Sequence, residues 1–213
     1  MALILSGDTG VPVTTVTGTL PVANGGSGVT TSTGSGANVL GTSPSISGAV
    51  LSTMASSVIT SGASQASTSG TSIDFTGIPS WVKRITVMFN GVSTNGTSLT
   101  LLQLGTSGGI QTSGYVGSAT YVGGGAASVN FSTGFSINTG LASVVLQGII
   151  TFTLMDSATG LWCMSATLGN SDVAYLRLSA GSKTLSGTLD RVRITTANGT
   201  DTFDAGSINI LYE

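Results

Sequence analysis

The segment ITFTLMDSATGLWCMSATL, residues 150–168, contains two runs of alternating apolar and polar side chains on either side of a turn. In the first run Ile150, Phe152 and Leu154 lie on one side. The second run has a matching apolar row, formed by Trp162, Met164, Ala166 and Leu168. A period of two is typical of a strand with one buried face, and the Asp, Ser and Gly of residues 156–160 are typical of a turn. The segment therefore predicts two strands joined by a turn, each with one apolar face.

The same alternation recurs on both sides of this segment. Three further runs carry apolar residues at alternate positions: Ile85, Val87 and Phe89; Val192 and Ile194; Ile208, Ile210 and Tyr212. Asn95-Gly96 and Asn198-Gly199 follow two of these runs, and each dipeptide predicts a hairpin because both residues tolerate the positive φ of a type I′ turn. We expect the last run to end inside a sheet. Short strands without a helical pattern predict an all-β fold for residues 73–213, an antiparallel β-sandwich with a jelly-roll-like arrangement.

The N-terminal quarter differs from the rest in composition. Residues 13–50 are crowded with Thr, Ser and Gly and have almost no charge, and their apolar residues are too sparse to close a core within one chain. Residues 13–60 are therefore predicted to form an extended fibrous shaft, intertwined with copies of the same chain. Val50, Met54 and Val58 have the i, i+4, i+8 spacing of one helix face, so residues 49–59 form either a short helical coil or an irregular shaft end. Residues 61–72 have the composition of a linker, and 1–12 form an apolar tip.

Composition narrows the class of function. Charged residues make up 7% of the chain, the mean hydropathy is +0.43, and no run of Lys or Arg exists that would neutralise a phosphate backbone, so we expect no nucleic-acid binding. His is absent and Cys163 is the only cysteine, so we expect no metal site, no cofactor and no disulfide, and we interpret Cys163 as a small buried strand residue. The N-terminus has no secretory signal and no segment suits a transmembrane helix, which predicts assembly in the cytoplasm without membrane insertion.

The motif GTLPVANGGSGVTTSTGSGANVLGTSP, residues 18–44, resembles segments of the tail fibres and receptor-binding proteins of tailed bacteriophages. TSIDFTGIPSWVKRITVMFNGVS and TLDRVRITTANGTDTFDAGSINILYE resemble the two ends of a C-terminal head found on such fibres, whereas the middle, 104–180, matches less well. The resemblance implies a homotrimer located in the virion, with the shaft intertwined below three heads. It also implies that the N-terminus joins a tail or baseplate protein and that the head binds a bacterial surface glycan, such as lipopolysaccharide or capsule, or an outer-membrane component.

Two stretches contain candidate receptor-binding residues. In the Gly-rich run 105–127, which we predict as a loop, Tyr115 and Tyr121 have small neighbours, so we expect them to be exposed and able to stack on a sugar. The alternative is that they pack between neighbouring heads. A second loop combines amide, carboxylate, aromatic and guanidinium groups that suit sugar hydroxyls, in Asn170, Asp172, Tyr175 and Arg177. A solvated turn with a surface ion pair is the alternative for this loop.

Three hypotheses of function follow. The first is a non-enzymatic fibre protein that attaches the phage to its host. The second is a structural fibre or adaptor protein of the tail without a receptor site. The third is an enzyme that trims polysaccharide, for which Asp201 and Asp204 are the only local pair of carboxylates. Residues three apart in a strand lie on opposite faces, so we interpret the two carboxylates as polar residues of a turn.

Overall fold

The computed structural model describes residues 59–137 and 140–213. The predicted tip, 1–12, lies outside the described residues. So does the predicted shaft, 13–60, with its helical coil at 49–59, except for its last two residues.

The described residues form strands and no helix. The strands are β1 (Thr60–Ser61), β2 (Gln65–Ala66), β3 (Ser72–Thr76), β4 (Arg84–Thr94), β5 (Thr100–Thr106), β6 (Gly109–Ile110), β7 (Tyr115–Val122), β8 (Ala126–Phe131), β9 (Phe135–Ile137), β10 (Leu146–Asp156), β11 (Leu161–Asn170), β12 (Leu176–Thr184), β13 (Arg191–Thr196) and β14 (Phe203–Tyr212).

These strands form two antiparallel sheets. The larger is nine-stranded, with the order β1-β14-β4-β10-β11-β12-β7-β8 and β2 also paired to β14. The smaller is five-stranded, with the order β3-β13-β5-β6 and β9 also paired to β5. The prediction of an all-β, antiparallel, sandwich-like fold is therefore confirmed for the described residues.

Alternating apolar side chains from both sheets form the core. Phe135 of β9 is fully buried at the centre of an aromatic group, with its ring centroid 4.9 Å from Tyr115, 5.5 Å from Phe152 and 5.8 Å from Phe131. Aromatic pairs at such distances add about 0.5–1.5 kcal/mol each to the free energy that their burial contributes. Phe135 thereby ties β9 to β7, β8 and β10.

The segment 150–168 forms the hairpin that its pattern predicts. β10 and β11 pair antiparallel, with Ile150 opposite Ala166 and Phe152 opposite Met164. The apolar row of β11 is buried, and Leu154 packs against the core from the rim. Cys163 lies on the opposite, outward side of β11, where it is half-buried with its Sγ 3.6 Å from Met155 Sδ, so the prediction that it is buried is wrong.

The two Asn-Gly dipeptides do not form hairpins, and that prediction is wrong. The residues after β4 lead into β5 of the other sheet, and those after β13 lead from the smaller sheet into β14 of the larger one. The two connections bond to each other: Asn95 Oδ1 accepts from Thr202 N at 2.9 Å, and Asp201 Oδ2 accepts from Ser98 N at 2.9 Å. A local turn signal does not specify whether the next strand pairs with the last or crosses to the facing sheet.

Part of the segment 61–72, which we predicted to be a linker, pairs with the last strand, and its final residue, Ser72, begins β3 of the smaller sheet. Gln65 and Ala66 pair with Ile208 and Ser207 of β14, and Ser67 is buried. β4 pairs with the other side of β14, so the last strand ends inside the larger sheet, as predicted.

Candidate functional site

Two hairpin ends come together beside β7 and β12. β7 and β12 pair antiparallel with Tyr121 opposite Arg177, which places the β7–β8 turn at 123–125 next to the β11–β12 turn at 171–175. Five of the six predicted site residues meet here, and we call them the tyrosine–arginine cluster: Tyr121, Asn170, Asp172, Tyr175 and Arg177. The sequence placed the last four of these in one segment, and only the proximity of Tyr121 was concealed, because it depends on the pairing of β7 with β12.

The two tyrosines of the cluster stack. The rings of Tyr121 and Tyr175 are 5.4 Å apart between centroids, with an interplanar angle of 16°, and both side chains are half-buried. Gly123 and Gly124 form the surface beneath Tyr175. A Cβ at Gly123 would collide with Tyr175 Cδ1, and a Cβ at Gly124 would lie 3.0 Å from Tyr175 Oη. The glycines of this turn are therefore needed for the close approach of the tyrosine ring.

Arg177 lies on the inward side of β12 and is 2% exposed. Its Nε donates to Asn170 Oδ1 at 3.0 Å, and its Cζ is 5.4 Å from the centroid of the Tyr121 ring. Burial lowers the pKa of the guanidinium, and the nearby charge of the exposed Asp172 opposes that shift. Arg177 thus holds its positive charge between a neutral amide and an aromatic ring.

Two hydrogen-bond donors of the cluster lack acceptors. Arg177 Nη1 and Asn170 Nδ2 are buried and have no hydrogen-bond partner among residues 59–137 and 140–213. An unsatisfied buried donor costs about 1–3 kcal/mol, and more when it is charged. The cluster therefore has two buried donors without oxygen acceptors, and one of them belongs to the positively charged guanidinium of Arg177.

Tyr115, the sixth predicted site residue, lies elsewhere. Its side chain is 2% exposed, so the prediction that it is exposed is wrong. Most of the Gly-rich run 105–127, which we predicted to be a loop, belongs to β6, β7 and the start of β8, and β7 carries Tyr115 into the core. The Tyr115 hydroxyl donates to Gln111 O at 2.8 Å and accepts from Leu104 N at 2.8 Å, and burial raises its pKa to about 12.

The larger sheet also has an uncharged outward face, which sequence analysis did not identify. The face is formed by the residues of β10, from Gln147 to Met155, and of β11, β12, β7 and β8 that point away from the core. These residues are aliphatic or polar, and none of them is charged. Five exposed aliphatic side chains lie among the polar ones: Val116, Val122, Ile149, Leu176 and Leu178. We call this surface the uncharged face. The sequence does contain an indication of this face, because in these strands apolar residues also occur at the positions that point away from the core.

A hydroxyl-rich cleft at the opposite end of β10 and β11 is a second feature that the sequence did not indicate. It has a volume of about 300 Å³, and its hydroxyl groups come from the β10–β11 turn, the β12–β13 connection and Ser80 of the β3–β4 connection, with Trp162 in its lining. Trp162 is buried, so its ring offers little surface to a ligand.

The described residues contain no group of three or more His, Cys, Asp or Glu side chains that is suited to holding a metal ion. Among them no helix has the length and apolar character needed to cross a membrane. Comparisons with protein-family models, curated proteins and solved structures find no match for this chain.

Proposed function

We propose that the chain is a non-enzymatic tail-fibre protein of a tailed bacteriophage, located in the virion. Its head attaches the particle to the host by binding a bacterial surface glycan or an outer-membrane component. In this proposal residues 73–213 form the head, with a jelly-roll-like sandwich. Residues 13–60 form the intertwined shaft of a homotrimer, and residues 1–12 join a tail or baseplate protein. The motif at 18–44 supports the fibre assignment by its resemblance to such proteins.

The observation that carries the receptor-binding part is the tyrosine–arginine cluster. Stacked, half-buried tyrosines offer a sugar ring an apolar face and two hydroxyls. The amide and guanidinium beside them each have one buried, unpaired donor, which would supply a directed hydrogen bond to a ligand that reaches it. In this proposal each site binds a saccharide weakly. Three heads on one fibre, and several fibres on one particle, would raise the avidity without tighter contacts at any one site.

The uncharged face supports the homotrimer. Val116 is 68% exposed and Leu176 is 52% exposed on a side of the sheet without charged residues. Such a surface can meet a copy of itself without burying a charge, and its burial would remove the apolar area that a single chain leaves in water.

Adsorption of the full chain to bacteria tests the proposal. A fluorescently labelled protein is mixed with a panel of strains, and we expect saturable binding to some of them, with about a tenfold loss for the combined change Tyr121→Ala and Tyr175→Ala. Tyr212→Ala is the matched control, because Tyr212 packs against Trp81 at 6.0 Å and is not part of the cluster. Saturable binding that the combined change leaves intact would remove the cluster from the proposal.

A structural fibre or adaptor protein is the second candidate, and the uncharged face is the observation that favours it. The surface suits protein contacts as well as it suits copies of this chain. Absence of adsorption to every strain, together with stable oligomers of the full chain, would favour this candidate over a receptor-binding head.

A further inference from the structure

Arg177 differs from the other arginines of the described residues in having no carboxylate partner. Each of the others forms an ion pair: Arg84 with Glu213, Arg191 with Asp190 and Arg193 with Asp74. Those three pairs are partly exposed, whereas Arg177 is buried beside neutral groups. A buried guanidinium without a counter-charge is costly unless something else supplies one.

The unsatisfied atoms beside Arg177 are all of one type. Arg177 Nη1 and Asn170 Nδ2 are both donors, and the bond from Arg177 Nε to Asn170 Oδ1, at 3.0 Å, holds the two side chains together. A single group with two acceptor oxygens and a negative charge would satisfy both donors and compensate the guanidinium. A carboxylate has this chemistry, and its planar geometry matches the arginine fork.

We propose that the tyrosine–arginine cluster binds an acidic saccharide, with the sugar carboxylate accepting from Arg177 Nη1 and Asn170 Nδ2 and the sugar ring against the tyrosines. This inference rests on the proposed glycan-binding function and narrows its ligand to sugars of the uronic acid class. Because both donors are buried in this structure, the carboxylate reaches them only after a local rearrangement of the side chains that cover them. Tyr175 is a rim residue whose neighbours in the turn, 171–174, are exposed.

The negative charge of Asp172 predicts how a charge-removing substitution should change the affinity for an anionic sugar. Its side chain is exposed, and its charge acts on Arg177 at a distance without an ion pair among the described residues. An incoming carboxylate is repelled by Asp172, so removing that charge should strengthen binding. This expectation is opposite to that for a neutral sugar whose hydroxyls would donate to Asp172.

Titration of the full chain with galacturonate, its methyl ester and galactose tests the proposal, followed through the Arg177 Nε–H signal and the tyrosine ring signals by NMR. We expect saturable shifts with galacturonate at millimolar concentration and at least tenfold weaker binding of galactose and the ester. The ester keeps the sugar ring and removes only the negative charge. Equal binding of all three sugars, shifts elsewhere in the protein, or no binding of galacturonate would overturn the proposal, and the last result would indicate that water satisfies the two donors.

Asn170→Asp is the decisive variant, because it places a carboxylate next to Arg177 within the chain. We expect it to fold with at least the stability of the original protein and to bind galacturonate at least tenfold more weakly. Asp172→Asn should bind galacturonate about twofold to fivefold more tightly, while Asp156→Asn, at the far end of β10, should change nothing. Undiminished binding by Asn170→Asp, or weaker binding by Asp172→Asn, would contradict the proposal.

The two proposals fail separately. If the protein adsorbs to bacteria but ignores galacturonate, host attachment stands and the acidic ligand is wrong. If it binds galacturonate through Arg177 but adsorbs to no strain, the site stands and the attachment function is wrong.

Discussion

The ring of Tyr175 lies parallel to the ring of Tyr121 from a neighbouring hairpin, with 5.4 Å between the centroids. The stack depends on the β7–β8 turn, where Gly123 has φ +141° and leaves room for Tyr175 Cδ1. A glycine turn thus positions an aromatic surface, and Arg177 lies 5.4 Å from the Tyr121 ring centroid to complete it.

Gly123→Ala should break this stack. The added methyl group would collide with Tyr175 Cδ1 and with the backbone oxygen of Ala174, so Tyr175 and its turn must shift. We therefore expect the ring-current shifts between the tyrosines to disappear and binding to bacteria to fall about tenfold. Gly125→Ala is the matched control, since Gly125 has φ +150° but nothing lies within 4 Å of the added atom. Both changes strain the backbone in the same way, so equal effects on binding would show that the Tyr175 contact is unimportant.

Phe135→Ala should destabilise the sandwich strongly. Phe135 is fully buried among Tyr115, Phe131 and Phe152, so its removal leaves a cavity that costs about 3–5 kcal/mol in the free energy of unfolding. Urea unfolding followed by tryptophan fluorescence measures the change. Phe135→Leu, which fills more of the space, should cost clearly less, and equal losses for the two variants would contradict the packing argument.

Tyr115 should make the fold sensitive to alkali. Burial raises its pKa to about 12 in the folded protein, while the unfolded chain ionises near the ordinary value of about 10. The unfolded state therefore loses its proton first, and stability falls as the pH rises from about 10 to about 12. Urea midpoints at pH 8 and pH 11 should differ more in the original protein than in Tyr115→Phe, which is less stable at pH 8 but lacks this titration.

Asp201 should make the fold sensitive to acid. Hydrogen bonds from Asn198 Nδ2 and Ser98 N to its carboxylate lower the pKa of Asp201 below its usual value. Its contribution to stability is present above the unfolded pKa, near 4, and is lost as the pH falls through the lower folded pKa. Asp201→Asn should therefore lose less stability between pH 5 and pH 2 in urea titrations. An unchanged acid dependence would show that the hydrogen bonds from Asn198 and Ser98 to the Asp201 carboxylate do not stabilise the fold.

Leu178→Lys should weaken self-association. Leu178 lies near the centre of the uncharged face, opposite Thr167 on one side and Thr120 on the other, so a trimer would have to bury the new charge. Analytical ultracentrifugation of the full chain should show a shift towards monomer at micromolar concentration. Leu141→Lys changes an exposed leucine outside the strands and should leave the mass unchanged. A trimer that tolerates Leu178→Lys would place the interface elsewhere.

Local patterns were sufficient for the strands that alternate clearly. They were insufficient for β7, which lies in the Gly-rich run predicted as a loop, and for the pairing of strands across connections. The alternation at 150–168 predicted both strands and their turn, because consecutive strands joined by a short turn pair with each other. The same type of argument failed at Asn95-Gly96 and Asn198-Gly199, where the chain crosses between sheets. The prediction from local composition also failed for Tyr115. Its small neighbours suggested an exposed loop, but Tyr115 is the first residue of β7 and its side chain is buried in the core.

By itself the sequence determined the strands with a clear alternation of apolar residues, namely β4, β10, β11, β13 and β14, and the apolar side of each, since the period of two is a property of the extended backbone that each segment carries alone. It also identified the residue types of the candidate site. Only the tertiary structure decided that Tyr121 and Arg177 face each other across β7 and β12, that Tyr175 stacks on the first, and that Arg177 is buried without a carboxylate. These are relationships between distant segments, and they depend on strand order and register, which result from burying all the apolar faces at once.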